Sequence, residues 1–190
     1  IKGGVFVSCQ GVAGQGTFGV GNPFHTPDRL LLMAESAYKG GAIGFRANSP
    51  ENISLMKRTY PEMVVIGIWK QFMVGNDVYI TTNMAAVDKI VDCGVEIVAV
   101  DATNRVNAYG KYAWEIIPEI KKKYPLIQVM ADISTLSEAE KAIEVGADIV
   151  STTMSGHTSY TKHLSDGCNF DLVREIKEKL NCFVICEGKI

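Results

Sequence analysis

The chain has 190 residues, of which 47% are hydrophobic and 21% charged, and its formal net charge is −2. These proportions are typical of a soluble globular protein, and the length suits one compact domain, so we expect a single domain over residues 1–190. The balance of 19 basic and 21 acidic residues is unlike a nucleic-acid-binding protein, which carries a strongly basic surface. No apolar run approaches the ~20 residues of a membrane span, so we predict neither a nucleic acid nor a membrane as partner.

The five cysteines are odd in number and lie mostly in apolar segments. This pattern indicates reduced thiols of a cytoplasmic protein rather than a disulfide framework. Cys182 and Cys186 lie four residues apart in a strand-like run, so we expect them to share one face of a sheet. No partner pair has the spacing of metal ligands, which predicts no metal site. No signal-peptide pattern is visible, and because the chain starts at Ile1 we expect residues in front of it in the native protein.

Short apolar, β-branched runs recur along the chain and predict seven strands, over residues 5–9, 42–45, 64–69, 96–100, 127–131, 148–152 and 182–186. Their two apolar faces are typical of buried parallel strands. Between them, amphipathic segments predict helices over residues 30–39, 84–91, 112–123, 136–145 and 170–180. Pro27 and residues 49–51 mark helix starts, and Gly94 and Gly146 mark helix ends.

The phrases "YKGGAIGFRA", "VDCGVEIVAVDA" and "IEVGADIVST" are variants of one unit, in which a helix end and a glycine precede an apolar strand. Such repeats predict βα units with right-handed parallel crossovers, and therefore an α/β fold. A doubly wound sheet would carry a glycine fingerprint directly after its first strand. Gly14, Gly16 and Gly19 have a similar spacing but lie too far from that strand, and we interpret them as part of an active-site loop.

Seven successive βα-type strands favour a (β/α)8 TIM barrel, which needs an eighth strand and usually about 250 residues. We therefore expect that the barrel is truncated here after the seventh strand. The eighth βα unit and the closing helices would then lie in a continuation of the native chain.

Polar side chains follow six of the seven predicted strands, at Gln10, Arg46, Lys70, Asp101, Asp132 and Glu187. The remaining strand runs into the hydroxyl-rich segment "STTMSGHTSYTKH". Lys70 and Glu187 each continue an apolar alternation with period two, so each is expected on the same side as its apolar predecessors. If that side is the barrel interior, an amine and a carboxylate meet there as an acid/base pair. His25, His157 and His163 lie in loops and are predicted to be surface residues.

Seven ordered segments, one for each strand, resemble those of bacterial N-acetylmannosamine-6-phosphate 2-epimerases: "GGVFVSCQ", "GFRANS", "VVIGIWK", "AVDATNR", "VMADIST", "STTMSGHTSY" and "VICEGKI". The resemblance implies a TIM-barrel isomerase that interconverts N-acetylmannosamine 6-phosphate and N-acetylglucosamine 6-phosphate in sialic acid catabolism. It also implies a cytoplasmic enzyme that needs neither a metal nor a nicotinamide and commonly forms oligomers.

By this resemblance, Lys70 of "GIWK" is the catalytic acid/base and Glu187 of "CEGK" is its carboxylate partner. Gln10, Arg46 and Asp132 would hold the sugar. Gly188 would belong to the phosphate site, which the loops after the seventh and eighth strands build in such barrels.

Three segments depart from the family pattern. "GIWK" stands for "GIIK", "EGKI" for "EGRI" and "SGHTSY" for "SGYTSY", so Trp69, Lys189 and His157 occupy altered positions. A lysine in place of arginine keeps the charge but lacks the guanidinium fork. Two other functions stay open on the sequence: another phosphate-binding barrel isomerase, and a sugar-phosphate binder without catalysis.

Overall fold

The structure is a computed structural model that describes residues 3–11, 24, 26–164 and 167–189. In these residues, strands alternate with helices along the chain. The strands are β1 (Phe6–Cys9), β2 (Gly44–Asn48), β3 (Val64–Ile68), β4 (Ile97–Asp101), β5 (Gln128–Asp132), β6 (Ile149–Ser151) and β7 (Phe183–Ile185). The α-helices are α1 (Pro27–Lys39), α2 (Pro50–Thr59), α3 (Met84–Val91), α4 (Ile116–Lys123), α5 (Leu136–Glu144) and α6 (Phe170–Lys179). Short 3₁₀ helices cover Ala113–Glu115 and Thr152–Met154.

Contacts between backbone segments group the chain into two compact units. The first unit comprises Ile1–Lys70 and Ala85–Val98, and the second comprises Gln71–Met84 and Ala99–Ile190. In the first unit, parallel strands β1, β2, β3 and β4 pair in chain order. In the second, β4 to β7 follow the same order. These findings confirm the predicted α/β class, whereas the single domain and the eighth βα unit stay predictions.

The second strand was predicted over residues 42–45, which is two residues too early at its start and three at its end. The start was wrong because helix α1 continues into a closing motif. Gly41 has φ +85° and donates to the Tyr38 carbonyl, while Ala42 donates to the Ala37 carbonyl. These two bonds form a Schellman motif, so Ala42 belongs to the end of the helix and not to the strand. Arg46 therefore lies inside β2 and not at its end.

The predicted helix over residues 112–123 divides into a 3₁₀ turn and α4. Pro118 explains the division, because proline has no backbone N–H and is tolerated in the first turn of an α-helix but not further along it. Gly146 does end helix α5, with φ +106°, as predicted.

Helices pack closely against the strands of the first unit at Gly67 in β3. A Cβ atom at this position would lie 2.5 Å from Ile90 Cγ2 and 2.9 Å from Val95 Cγ1. Gly67 thus faces the helices, and the alternation of a strand assigns Ile66 and Ile68 to the opposite face.

The expectation of strands buried on both sides holds for β2 and β4, whose residues are all buried. It does not hold for β7, where Phe183 is 67% exposed. In the described part of the chain, β7 lies at one edge of the strand order and pairs only with β6, so its side chains have fewer neighbours. None of the described helices has the length and hydropathy that a membrane span requires.

Candidate active site

In the first unit, polar side chains of β2 lie on the face opposite to the helices. Phe45 packs edge-on against Tyr60, with ring centroids 5.8 Å apart, so the helix-facing side of β2 is apolar. Arg46 and Asn48, on the other face, are 2% and 5% exposed. A buried guanidinium is costly to desolvate, and Arg46 lies on this face beside its register partner Ile66 of β3. A charged group held in such a buried place is typical of a binding site.

Asn48 connects three neighbouring strand ends and was not found by the sequence analysis. Its side-chain oxygen accepts a hydrogen bond from the Lys70 backbone N–H at 2.8 Å. Its amide donates to the Gly11 carbonyl at 3.4 Å, and its own carbonyl accepts from the Asn52 side chain at 2.8 Å. Asn48 therefore fixes the backbone from which the Lys70 side chain starts.

Gln10 follows β1 and presents an acceptor. Its amide nitrogen donates to Ser8 Oγ at 2.6 Å. Its side-chain oxygen is buried and accepts no hydrogen bond from the described residues. Because an unsatisfied buried acceptor is costly, this oxygen is suited to a hydroxyl or amide donor of a ligand.

In the second unit, Asp132 ends β5 and is fully buried. Thr153 donates its hydroxyl to Asp132 Oδ1 at 2.7 Å, and the Ser151 and Thr153 hydroxyls lie 2.8 Å apart. The Asp132 carbonyl accepts from the Ala102 N–H at 3.0 Å, which ties the ends of β4 and β5 together. The Asp132 carboxylate is thus oriented by the hydroxyl of Thr153, which follows β6 and itself contacts the Ser151 hydroxyl.

The backbone of Glu187 is fixed by Thr152, a fully buried residue just after β6. The Thr152 hydroxyl donates to the Glu187 carbonyl at 2.9 Å and accepts from the Glu187 N–H at 3.1 Å. Gly188 follows with φ +95°, and a Cβ there would lie 3.0 Å from the Thr153 carbonyl oxygen. Only glycine suits this position, both for its φ and for the close approach.

Asp101 at the end of β4 is engaged by its own loop. Oδ2 accepts from the Arg105 guanidinium at 2.6 Å, and Oδ1 accepts from the N–H and the hydroxyl of Thr103 at 3.0 and 2.7 Å. Burial raises the pKa of Asp101, and Arg105 and Thr103 oppose this rise. This carboxylate orders the loop after β4.

Glu138 in α5 is a second buried carboxylate that organises loops, and the sequence analysis did not single it out. It is fully buried and accepts from the backbone N–H groups of Asn104, Ser134 and Thr135 at 2.7–3.1 Å. The Ser134 hydroxyl and, through a short hydrogen bond, the Tyr160 hydroxyl complete its partners. Glu138 thereby joins the loops that follow β4, β5 and β6.

Two of the positions that depart from the family pattern lie near each other. A Cβ at Gly156 would lie 2.7 Å from Lys189 Nζ, so the lysine side chain passes over this glycine. Burial, together with the Lys189 ammonium, lowers the pKa of the neighbouring His157. The altered residues in "SGHTSY" and "EGKI" are therefore spatial neighbours.

Within each unit, the predicted residues lie on neighbouring strands. In the first unit, Gln10 follows β1, Arg46 lies in β2 and Lys70 comes after β3. In the second unit, Asp132, Glu187 and Gly188 each lie against Thr152 or Thr153, just after β6. His157 and His163 are exposed, as predicted. Predictions for His25 and for residues 14–19 lie outside the described residues. Across the described ranges, no three His, Cys, Asp or Glu side chains group as metal ligands would.

Comparisons with known proteins agree with the motifs. A sequence profile described as "Putative N-acetylmannosamine-6-phosphate epimerase" matches residues 30–190. A relative from Caldanaerobacter subterraneus subsp. tengcongensis, named a 2-epimerase for the same sugar phosphate, is 40% identical over 100% of this chain and 76% of its own length. A relative of the same name from Clostridioides difficile is 42% identical over 100% of this chain and 80% of its own length.

A solved structure also matches the fold of this chain. The N-acetylmannosamine-6-phosphate 2-epimerase from Clostridium perfringens superposes with a TM-score of 0.88 and 34% identity, over 99% of this chain and 77% of that one. This match confirms the predicted TIM-barrel fold class. The polar strand ends and the similarity over the whole chain lead to one conclusion: this chain belongs to the N-acetylmannosamine-6-phosphate epimerase family, whose members are isomerases.

Proposed function

We propose that this protein inverts C2 of N-acetylmannosamine 6-phosphate to give N-acetylglucosamine 6-phosphate, as a step of sialic acid catabolism. The similarity over the whole chain to proteins named for this reaction carries the proposal. The polar side chains that follow or lie in β1, β2, β3, β5 and β7 support it, because the active sites of TIM-barrel enzymes lie at the carboxyl ends of the strands.

The chemical problem is to remove a hydrogen from C2, which is not acidic in the closed sugar ring. Opening the ring exposes an aldehyde at C1, and loss of the C2 proton then gives a delocalised enolate. Return of a proton to the opposite face inverts the carbon. None of these steps is a redox step, so the route needs no nicotinamide.

Lys70 is our proposed acid/base, and Glu187 its carboxylate partner. The Lys70 backbone is fixed by Asn48, and that of Glu187 by Thr152, so each side chain starts from an ordered position. Either Lys70 both removes and returns the proton, or Lys70 and Glu187 serve opposite faces of C2. Positioned proton transfer contributes about 10²–10⁴-fold to such reactions.

The remaining proposed residues bind the sugar. Arg46 supplies a buried cation that would stabilise the enolate oxygen. Electrostatic stabilisation of this kind is the largest contribution to the rate enhancement of many enzymes. The Gln10 side-chain oxygen and the oriented Asp132 carboxylate would accept hydrogen bonds from sugar hydroxyls. Gly188, with its positive φ, would place its backbone against the phosphate, which barrels of this type bind after the seventh strand.

Proton NMR in heavy water tests the proposal, because it measures exchange of the C2 proton in each epimer separately. We expect the wild-type protein to exchange this proton and to interconvert the epimers, and Lys70→Ala to reduce interconversion by about 10²–10⁴-fold. If Lys70 acts alone, Lys70→Ala loses exchange in both epimers. If two residues act, Lys70→Ala retains exchange in one epimer and Glu187→Gln in the other.

Lys39→Ala is the matched control, since Lys39 is an exposed lysine that forms a surface ion pair with Glu35 of helix α1. Exchange of the C2 proton at the wild-type rate in both epimers in a folded Lys70→Ala protein would contradict the role of Lys70. Calorimetric binding of the sugar phosphate without any C2 exchange in the wild type would favour a non-catalytic binder. A panel of phosphorylated sugars separates the remaining barrel isomerases.

We further propose that the protein acts in the cytoplasm and forms a homo-oligomer. Its five cysteines carry free thiols, which suits a reducing compartment. The oligomeric state rests on the family resemblance, and light scattering of the purified protein measures it.

A further inference from the structure

Two cysteines that the proposed mechanism does not use lie in contact. The Sγ atoms of Cys168 and Cys186 are 2.9 Å apart, although the residues are 18 positions apart in the chain. Cys168 precedes helix α6 and Cys186 follows strand β7. Both thiols are free and partly exposed to solvent, so a small oxidant has access to them.

We propose that Cys168 and Cys186 form a modification site, where a peroxide converts the two thiols into a reversible disulfide. An S–S bond is about 2.05 Å long, so the two sulfur atoms need to approach by only about 1 Å. Small shifts of the two cysteines and of the residues bonded to them are enough to close this gap.

Neighbouring hydrogen bonds hold the two cysteines in place. The Asn169 side-chain oxygen caps helix α6 by accepting from the Leu172 N–H at 3.0 Å, and its side-chain amide donates to the Ser155 hydroxyl at 3.0 Å. These two bonds anchor the chain next to Cys168. The two bonds between Thr152 and Glu187 anchor the chain next to Cys186. The sulfur atoms therefore stay near each other in the reduced protein.

Oxidation of the two thiols proceeds in two steps. Burial and the contact with Cys168 raise the pKa of Cys186 to about 11, and either sulfur atom can be the donor of the contact. One thiol loses its proton, and the thiolate attacks one oxygen of hydrogen peroxide, which gives a sulfenic acid and a hydroxide ion that takes up the proton as water. The other thiol then attacks the sulfenic sulfur, and the second oxygen leaves as water with the proton of that thiol. In total, two thiols and one peroxide give one disulfide and two water molecules.

The other cysteines have different surroundings. Cys93 donates to the carbonyl oxygens of Lys89 and Pro50 at 3.0 and 3.4 Å. Cys9 is fully buried, and burial raises its pKa to about 11. Cys182 is the natural competitor for Cys168, because Cys182 directly precedes β7 and Cys186 directly follows it.

Peptide mapping by mass spectrometry tests the site directly. The reduced full chain is treated with hydrogen peroxide, blocked with N-ethylmaleimide and digested without reductant. We expect a peptide that links Cys168 to Cys186 in the wild type and in Cys182→Ser, and its absence in Cys168→Ser. A bridge through Cys182 would overturn the proposal, and so would a wild-type protein whose Cys168 and Cys186 are recovered unlinked.

The disulfide has a consequence for activity that rests on the proposed function, because Cys186 directly precedes Glu187. Movement of a reacting group by about 1 Å can cost about 10²-fold in rate. We expect the peroxide-treated wild type to lose C2 exchange by up to about 10²-fold and to regain it with dithiothreitol. Cys168→Ser should keep its rate under peroxide.

Two results separate the hypotheses. A fully linked wild-type protein with an unchanged exchange rate would overturn the effect on activity. A reduced wild-type protein without any exchange would contradict the proposed function, while the peptide map would still decide whether the disulfide forms.

Discussion

Glu138 shows how a single side chain can order several loops of this fold. A buried carboxylate is stable only where hydrogen-bond donors surround it, and Glu138 receives five of them. Tyr160 is the one partner that comes from the loop after β6, the segment that carries "SGHTSY". Burial and the bond to Glu138 raise the pKa of Tyr160, which keeps its hydroxyl protonated as the donor.

Removal of this donor by Tyr160→Phe leaves a buried carboxylate with one partner fewer. We expect a loss of about 1–3 kcal/mol in the free energy of unfolding, measured by urea denaturation. Tyr109→Phe is the control, since Tyr109 is 52% exposed and its hydroxyl accepts from the Asn83 side chain at 3.2 Å. Equal losses in the two variants would contradict the role of the Glu138 contact.

Gly188 allows a test of the backbone next to Glu187. In Gly188→Ala, the added methyl would meet the Thr153 carbonyl oxygen at 3.0 Å and the φ of +95° would be strained. We expect a loss of at least about 1 kcal/mol in the free energy of unfolding, together with weaker sugar-phosphate binding by calorimetry.

Gly41→Ala is the control for Gly188→Ala. Gly41 has a similar φ of +85°, but a Cβ there meets nothing within 4 Å. Gly41→Ala therefore measures the cost of the backbone conformation alone. A Gly188→Ala protein that loses no more stability than this control would show that the contact with Thr153 is unimportant.

At the scale of elements, the two units repeat one arrangement, in which a carboxylate pairs with a helix lysine and accepts a hydrogen bond from the N–H of a strand residue. Lys57 in α2 donates to Glu96 at 2.6 Å, and Glu96 accepts from the Val65 N–H of β3 at 2.9 Å. In the second unit, Asp148 accepts from Lys121 of α4 at 2.8 Å and from the Val129 N–H of β5 at 2.8 Å. Each lysine also donates to the carbonyl of the residue just before its strand. The sequence repeats thus correspond to a repeated structural contact.

Removal of the carboxylate should cost stability in both units. In Glu96→Ala and Asp148→Ala, a strand N–H loses its acceptor, and we expect a loss of about 1–3 kcal/mol in each by urea denaturation. Glu119→Ala is the control, since the Lys111–Glu119 pair is exposed and worth about 0–1 kcal/mol. If neither variant lost more stability than the control, these pairs would be ordinary surface ion pairs.

The sequence predicted elements whose signals are local, and missed features that depend on contacts between distant segments. The span of α3 was predicted from its apolar spacing. Helix α2 was indicated only at its start, and β2 was misplaced because Gly41 and Ala42 close the preceding helix. Reading Gly41 as a Schellman glycine would have corrected this strand.

The same distinction applies to the candidate site. Lys70 and Glu187 were proposed as site residues because they extend an apolar alternation that is visible in the chain. Asn48 and Thr152 were missed, since their side chains bind the backbone of other strands. No periodicity of the sequence encodes such a contact, although the hydroxyl-rich segment after β6 was a partial signal.

At the scale of the whole molecule, the division into two units cuts through secondary structure. Helix α3 begins with Met84 in the second unit and continues in the first. Strand β4 has Ile97 and Val98 in the first unit and residues 99–101 in the second. Because α3 and β4 each have residues in both units, unfolding of one unit also unfolds part of these elements. We therefore expect both units to unfold together as one domain.

The two tryptophans allow this expectation to be measured, because Trp69 lies in the first unit and Trp114 in the second. In Trp114→Phe and Trp69→Phe, fluorescence reports on one unit at a time. We expect both thermal midpoints to coincide with that of the far-UV circular dichroism. Addition of Glu96→Ala should lower both by about 2–4 °C for each kcal/mol lost. Two separate midpoints, or a shift confined to Trp69, would show that the chain folds as two independent domains.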